Sequence, residues 1–299
     1  MVQGAGLYRA FGVDFQSALA LPEMRAGSEG SGTPVLIERG SAVRPTAGIE
    51  IATGVVADPR VFWMDVPGVV RLRVERGRRM IVELAEKATE SEARAYLLGS
   101  ALGALLHQRG LLALHASAIE IGGRAFAFAG HSGAGKSTLA LAMTRRGHPL
   151  LCDDIVAIDT SGSVPVCWPG LINLKLWGET LEAAGHGANG LEQVLPTLDK
   201  YRLPVAGLAE YRPLPLGGVF ALAKGSEAAL APVSGADAAA LLIANTFRGQ
   251  LVGPMQRQRV HFDQCLAVAS GVRFARLERS WNLALIDDSC AQIEASVTT

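Results

Sequence analysis

The chain has no excess of charge of either sign, and it is poor in lysine. Its 299 residues include 28 basic and 28 acidic side chains, and only five of the basic ones are lysines. A balanced charge creates no overall field that attracts nucleic acid or an anionic membrane surface. We therefore expect neither nucleic acid nor a membrane among its partners. Any affinity for phosphate groups must be local.

The chain also lacks paired cysteines and long apolar runs. Its cysteines are Cys152, Cys167, Cys265 and Cys290, without a C-x-x-C pair. Scattered cysteines of this kind favour reduced thiols over disulfides or zinc ligands. No apolar run reaches the roughly 18 residues that cross a bilayer, and no basic segment with an apolar run opens the chain. With 49% hydrophobic residues, the sequence predicts a cytoplasmic globular protein with a sizeable core.

One glycine-rich stretch carries the strongest functional signal. The residues that match the G-x-x-x-x-G-K-[ST] phosphate-binding loop are Gly130, His131, Ser132, Gly133, Ala134, Gly135, Lys136 and Ser137. The glycines let backbone N–H groups turn inward around a phosphate chain, and the following helix adds its positive end. Lys136 is predicted to contact the β- and γ-phosphates, and Ser137 to bind Mg²⁺. We count Thr138 with this set, which predicts binding of ATP with Mg²⁺.

The segments on either side of the loop suit this motif. Residues 124–129 have the pattern of a strand, and residues 137–146 have that of a helix. An earlier strand pattern at 114–121 is joined to the first by Gly122-Gly123, which predicts a two-residue hairpin turn. Most phosphate-loop proteins reach this strand by a helical crossover, whereas a hairpin makes it antiparallel to its predecessor. The sequence therefore predicts a mixed sheet.

Two adjacent acids, Asp153 and Asp154, follow the helix and lie between two apolar segments. Their burial would be costly unless each had a partner, such as a metal ion or a substrate hydroxyl. Since successive side chains of an extended segment point opposite ways, one carboxylate can face Mg²⁺ and the other the phosphate acceptor. A solvated turn is the alternative. His115 lies at the loop end of the neighbouring strand, where a histidine without a ligand is also an ordinary finding.

The first 88 residues carry strand and turn signals without catalytic residues. The strand patterns cover residues 34–38, 61–64, 69–75 and 79–84. A stretch rich in Gly and Ser at 26–33 is predicted to be a loop. Thr89 and Glu92 form a capping box, which opens a helix that runs to about Arg109. We therefore predict a β-rich domain over residues 1–88, with either a substrate-docking edge or a plain solvated face, and a catalytic domain over residues 89–299.

The remaining sequence predicts further elements and some candidate cations. Strands are predicted at 217–223 and 272–277, the second as an edge or returning strand, and helices at 235–247, 260–270 and 281–295. The candidates for a clamp on a transferring phosphoryl group are Lys175, Lys200, Arg202 and Arg248. Solvated surface charge is the alternative for each of them.

The order and spacing of these residues resemble a known family. His115, the loop GHSGAGKS, a helix ending Arg-Arg-Gly-His and the Asp153-Asp154 pair look like the catalytic domain of HPr kinase/phosphorylase. This pattern covers about residues 111–160. The chain is also similar to stand-alone HPr-kinase-like proteins that phosphorylate a serine of lasso-peptide precursors. The features shared with them are Leu-His-Ala-Ser at 114–117, Trp-Pro-Gly at 168–170, Leu-Lys-Leu-Trp at 174–177 and Arg-Leu-Glu-Arg-Ser at 276–280.

The resemblance implies an α/β fold of the HPr kinase/PEP carboxykinase type, with a mixed-sheet P-loop kinase domain. It implies that Asp153 is the general base on the incoming hydroxyl, that Asp154 binds the metal with Ser137, and that His115 supports the metal and the acceptor. The implied activity is transfer of the γ-phosphoryl group of ATP to a serine of a peptide or protein, such as a lasso-peptide precursor. Related enzymes form hexamers, so a homo-oligomer is a further expectation.

Two positions depart from the bifunctional members of that family. Where those enzymes usually carry Asp and Glu, this chain has His131 and Thr138. The family's glycine- and arginine-containing signature for dephosphorylation is also missing from the sequence. We therefore expect a kinase without efficient phosphorolysis, and we do not assume HPr as its substrate. Two alternatives stay open: a small-molecule kinase on the same scaffold, and a nucleotide-binding regulatory module.

Overall fold

The structure of the chain, a computed structural model, describes residues 6–28 and 32–297 and shows a mixed α/β protein. Of the loop predicted at 26–33, residues 29–31 lie outside this described part. Within the described part, no helix is long and apolar enough to cross a membrane.

The N-terminal region folds into a nine-stranded sheet. Its strands are β1 Gly6–Ala10, β2 Val13–Ser17, β3 Arg25–Ala26, β4 Val35–Arg39, β5 Ile49–Ala52, β6 Val55–Ala57, β7 Val61–Val66, β8 Val70–Glu75 and β9 Arg79–Leu84. They lie in the order β3-β1-β2-β4-β9-β8-β7-β6-β5, with β4 parallel to both β2 and β9. The strand patterns predicted from the sequence are confirmed by β4, β7, β8 and β9. The other five strands lie in segments without a predicted strand.

A long helical segment follows this sheet. It consists of α1 Glu90–Tyr96, a π-helical turn Leu97–Ala101 and α2 Leu102–Gln108. The Thr89 side chain accepts the N–H of Glu92, and the Glu92 carboxylate accepts the N–H of Thr89, so the predicted capping box is confirmed. The π-helical turn is buried against β7 and β8. The helical segment therefore covers one face of the N-terminal sheet.

The rest of the chain builds a second, mixed sheet and a small third one. The strands are β10 Leu112–Leu114, β11 Ala116–Ile121, β12 Arg124–Ala129, β13 Leu150–Cys152, β14 Val156–Asp159, β15 Val166–Cys167, β16 Asn173–Trp177, β17 Glu192–Gln193, β18 Lys200–Pro204, β19 Leu214–Lys224, β20 Ala229–Val233 and β21 Arg273–Arg279. The helices are α3 Lys136–Arg145, α4 Gly178–Ala183, α5 Gly235–Ala244, α6 Gln258–Gly271 and α7 Ile286–Val297, with 3₁₀ turns at Gly249–Leu251 and Leu283–Leu285.

The main sheet has the order β10-β14-β15-β19-β12-β11-β13, with β21 also paired to β19 and β20 to β21. Strand β12 is antiparallel to β11 and parallel to β19, so the predicted mixed sheet is confirmed. Gly122 and Gly123 both have positive φ, as a type I′ hairpin turn requires. The strand predicted at 272–277, as an edge or returning strand, is present as β21. It is not an edge, because it pairs with β19 on one side and with β20 on the other. The third sheet has the order β16-β18-β17.

The alternating sequence of β12 decides what packs on each side of the main sheet. Ala125, Ala127 and Ala129 belong to a buried cluster that also contains residues of α2 and of the N-terminal sheet. Phe126 and Phe128 belong to a second cluster, which lies under α3. Because the first cluster is continuous from the N-terminal sheet to the main sheet, the two regions share a core. The division into two domains at residue 88 stays a prediction.

Buried charges join the N-terminal region to the third sheet. Oε1 of Glu23 lies 3.1 Å from Nε of Arg94 and 3.2 Å from Nε of Arg202, and all three residues are buried. Glu192 adds a second, half-exposed carboxylate 2.7 Å from Nη2 of Arg94. Arg202 is thus a partner in a buried ion cluster. This corrects both expectations for it, since it is neither a solvated surface charge nor available as a clamp.

We expect Glu23→Gln to lower the free energy of unfolding by about 3 kcal/mol, because two buried guanidinium groups would then share one half-exposed carboxylate. Urea unfolding followed by circular dichroism measures this change. The matched control is Glu38→Gln, which removes a carboxylate from the exposed pair with Arg79 and should cost less than about 1 kcal/mol. Equal losses in the two variants would contradict this account.

Candidate active site

The candidate functional residues meet at one edge of the main sheet. Strands β12, β19 and β21 are parallel and end at this edge with Ala129, Lys224 and Arg279. Strand β13 is antiparallel to β11, as β12 is, so Asp153 follows β13 at the same edge. His115 directly precedes β11 there. The topology therefore brings the loop, the acid pair and His115 together, as the sequence predicted for this edge.

The glycine-rich loop connects β12 to α3, which confirms the strand and the helix predicted on its two sides. Nζ of Lys136 donates to the carbonyl oxygens of Gly130 at 2.8 Å and His131 at 3.0 Å, so the ammonium group lies within the loop. Gly135 has a φ of +83°, and a Cβ at this position would overlap the guanidinium of Arg279. The backbone conformation therefore favours glycine at position 135, and a larger residue would also displace the Arg279 side chain.

Asp153 has hydrogen-bond partners on three elements and is 1% exposed. Its Oδ1 accepts from the hydroxyls of Ser117 at 2.5 Å and Ser137 at 2.9 Å. Its Oδ2 accepts from the backbone N–H of Lys175 at 2.8 Å. A buried carboxylate is costly without partners, and these three hydrogen bonds offset much of that cost. The carboxylate therefore links β11, α3 and β16.

Asp154 has a different set of partners. Its Oδ2 lies 2.6 Å from Nζ of Lys175, and its Oδ1 lies 3.4 Å from Nδ1 of His115. The φ of Asp154 is +70°, which is in the left-handed region, so the two carboxylates diverge at a left-handed residue. The sequence predicted an extended segment here. Burial alone would raise the pKa of Asp154, but Lys175, with a smaller contribution from His115, holds it well below its usual range. Asp154 is therefore anionic at neutral pH.

His115 is a neutral donor beside Asp154. Burial lowers the pKa of His115, the charge of Lys136 lowers it further, and Asp154 offsets only part of this. Nδ1 lies 3.1 Å from the backbone carbonyl oxygen of Asp154. Because a carbonyl oxygen only accepts, this contact assigns the proton to Nδ1. The ring also packs beside Phe247, with 5.9 Å between ring centroids.

These residues surround one pocket. Loop and helix residues from Ser132 to Thr138 line one side, and His115, Asp154 and the residues from Lys175 to Trp177 line the other. Lys200 is a further lining residue, so this candidate clamp does lie at the site. Asp153 is buried behind the pocket wall.

Two oxygen donors that line this pocket suit a magnesium ion. Ser137 and Asp154 offer a hydroxyl and a carboxylate oxygen, which are among the ligands that Mg²⁺ takes in proteins. Among the described residues, no group of three or more His, Cys, Asp and Glu side chains is arranged to hold a metal by itself. Mg²⁺ at phosphate sites commonly uses one or two carboxylates together with substrate phosphates. The donor set therefore fits Mg²⁺ that is held jointly with a phosphate-bearing substrate.

Three further residues support the site in roles that the sequence did not predict. Ser117 lies two residues beyond His115 on the strand, and this spacing is a signal that the two share a face. Lys175 was a candidate clamp, but it holds Asp154 and donates to Asp153. Arg279 is 2% exposed and lies behind the loop, with Nη2 3.4 Å from the carbonyl oxygen of Ala134. The sequence gives no local signal for these contacts of Lys175 and Arg279.

Comparisons with known proteins add little to this geometry. No family model and no curated protein sequence matches the chain. Among solved structures, it is similar to the Hpr(Ser) kinase/phosphatase from Coxiella burnetii, with 11% sequence identity and a TM-score of 0.33. The similarity covers 62% of this chain and 99% of that one. A likeness of this size establishes neither the fold nor the activity of the chain.

The charge of Lys136 predicts how phosphate binding depends on pH. Burial lowers the pKa of Lys136 to about 8, and Asp153 and Asp154 offset only part of that effect. The side chain is therefore cationic below about pH 8 and loses its charge above it. We expect the affinity for inorganic tripolyphosphate, measured by calorimetry without divalent metal, to fall about tenfold between pH 7 and pH 9.

Lys136→Arg is the control for this titration, because a guanidinium group stays charged throughout the range. Titration of this variant with the same ligand shows the contribution of the ligand's own protonation. The same pH dependence in the variant and the wild type would contradict the role given to Lys136.

Proposed function

We propose that the chain is a kinase that uses ATP and Mg²⁺ to phosphorylate a serine hydroxyl of a peptide or protein. The observation that carries the proposal is the 2.9 Å hydrogen bond between Ser137 and Asp153. It joins the hydroxyl of a phosphate-binding loop to a buried carboxylate. Burying a carboxylate costs free energy, and a glycine turn without a ligand would not need a buried carboxylate bonded to its serine.

The proposed chemistry needs alignment and charge neutralisation more than covalent participation by the protein. The transition state of phosphoryl transfer spreads negative charge over the oxygens of the γ-phosphoryl group. The loop N–H groups and the ammonium of Lys136 would bind this group and stabilise that charge. Mg²⁺, when held by Ser137 and Asp154, would supply further positive charge at the phosphates.

Asp153 is the proposed general base. Its hydrogen bonds come from neutral donors, whereas Asp154 is paired with the ammonium of Lys175. A carboxylate with a strongly lowered pKa is a weak proton acceptor, so Asp154 suits the metal better than the acceptor hydroxyl. The proposal requires Oδ1 of Asp153 to exchange the Ser137 hydroxyl for the acceptor hydroxyl. It takes that proton as the new O–P bond forms and the bond from the γ-phosphorus to the bridging oxygen breaks, which releases ADP.

The attachment of the N-terminal sheet supports a peptide or protein as the acceptor. The N–H of Phe11 donates to the carbonyl oxygen of Pro169 at 2.7 Å, and the carbonyl oxygen of Glu23 accepts from Ile172 at 2.9 Å. These contacts bind the N-terminal sheet to the segment that leads into β16 and Lys175, so a substrate bound there would lie beside the site. A lasso-peptide precursor as acceptor, cytoplasmic location and homo-oligomeric assembly stay predictions from the sequence.

We expect Asp153→Asn to lower the rate of phosphoryl transfer by about 10²- to 10⁴-fold, because proton removal from the hydroxyl would lose its base. The affinity for ATP should change by less than about threefold, since Lys136 and the loop remain. The measurement is mass spectrometry of a candidate serine-containing precursor peptide, incubated with the protein, ATP and Mg²⁺, in which each phosphate adds about 80 Da.

Asp263→Asn is the matched control, because this aspartate is 64% exposed on α6. The control should phosphorylate the peptide at the wild-type rate. A peptide that gains no mass with the wild type, although ATP binds, would overturn the peptide-kinase proposal in favour of a small-molecule kinase or a regulatory module. An Asp153→Asn variant that transfers phosphate at the wild-type rate would overturn the assignment of the base.

A further inference from the structure

The acid pair lies on one flank of the phosphate loop, and the other flank has a different composition. Strand β13, which leads to Asp153, is separated from the loop strand β12 by β11. On the opposite side, β19 and β21 follow β12 in parallel and end at the same edge. Since neighbouring strands are about 4.8 Å apart, β21 ends about 10 Å from the loop strand. If the acids face the γ-phosphate, the nucleoside end of a bound nucleotide extends in the opposite direction, toward the flank formed by the ends of β19 and β21.

An exposed aromatic side chain lies on that flank. Trp281 follows β21 by two residues and is 40% exposed. Its ring lies 5.7 Å from the ring of His131 in the phosphate loop, and Nζ of Lys224 lies 5.3 Å from its centroid. The end of β21, the end of β19 and the loop therefore meet around one indole ring.

The position of Trp281 is fixed by its neighbours in the chain. Arg279, two residues earlier, is buried behind the loop and contacts the carbonyl oxygen of Ala134. Asn282, the next residue, accepts the N–H of Ala284 and begins a 3₁₀ turn. The ring is thus held between an anchored strand end and a capped turn, which limits the conformational freedom that ligand binding would have to remove.

A small, mainly apolar hollow lies on the outer side of α3. Leu283 and Ile286, which follow Trp281, face Thr138 and Leu141 of α3 across the hollow. Thr138 also lines the pocket that contains Lys136 and Asp154. The hollow therefore connects with the phosphate site through the first turn of α3.

We propose that Trp281 is the stacking platform for the base of the nucleotide. This inference rests on the proposed function and adds a residue that recognises the nucleoside rather than the phosphates. Stacking on an aromatic ring accepts any base, because every base has a π face. Lys224 and His131 border the platform.

The test compares two ligands that share phosphates but differ in the nucleoside. ATP and inorganic tripolyphosphate are titrated into the wild type, Trp281→Ala and Trp281→Phe by calorimetry. We expect Trp281→Ala to raise the Kd for ATP about tenfold and to leave the Kd for tripolyphosphate within twofold. Trp281→Phe, which retains an aromatic face, should keep the Kd for ATP within about threefold. Phe262→Ala, at an exposed aromatic residue on α6, is the surface control and should bind both ligands as the wild type does.

Each outcome has a separate meaning. An unchanged Kd for ATP in Trp281→Ala overturns the platform while leaving the kinase proposal intact. An equal loss for ATP and tripolyphosphate also overturns it, because Trp281 would then support the loop rather than the base. A wild type that binds neither ligand, or a Lys136→Ala variant that binds both as tightly as the wild type, shows instead that the proposed function fails.

Discussion

The buried carboxylate of Asp153 is the interaction on which the rest of the site depends. It accepts hydrogen bonds from Ser117, Ser137 and the backbone of Lys175, which belong to three different elements. A charge at this depth is tolerated only if these partners keep their positions. The same interaction therefore aligns the phosphate loop with β11 and with β16. Strand β16 carries Lys175, the cation that pairs with Asp154. Stability and site geometry are coupled here through one side chain.

The N-terminal sheet extends this coupling beyond the site. Its Glu23 joins Arg94 of the first helix to Arg202 of the third sheet, and its Phe11 contacts the segment before β16. Strand β16 is paired with β18, which carries Arg202. The position of Lys175 thus depends on a region whose described residues contribute no side chain to the pocket. This explains in structural terms how a β-rich region can help to determine the geometry of the candidate site at the edge of the main sheet.

Prediction from the sequence succeeded where the signal was local. The hairpin at Gly122-Gly123, the capping box at Thr89 and the strand and helix around the loop each depend on a few neighbouring residues, and the structure confirms them. It failed where pairing is decided at a distance. The sequence left open whether the strand at 272–277 is an edge or a returning strand, and the small sheet of β16, β17 and β18 was not predicted, because the partners of these strands lie far along the chain. Arg202 illustrates the same limit, since nothing beside it reveals a buried partner at Glu23.

The sequence by itself determined the chemical groups of the site: a phosphate loop with Lys136 and Ser137, and an acid pair at the end of a strand. Motifs of this kind are local because backbone conformation and residue spacing set their geometry. Only the tertiary structure decided which donor meets which carboxylate, that Lys175 neutralises Asp154, and that Trp281 lies beside the loop. These contacts join residues whose order in the chain gives no hint of their distance in space, because sheet pairing and core packing place them.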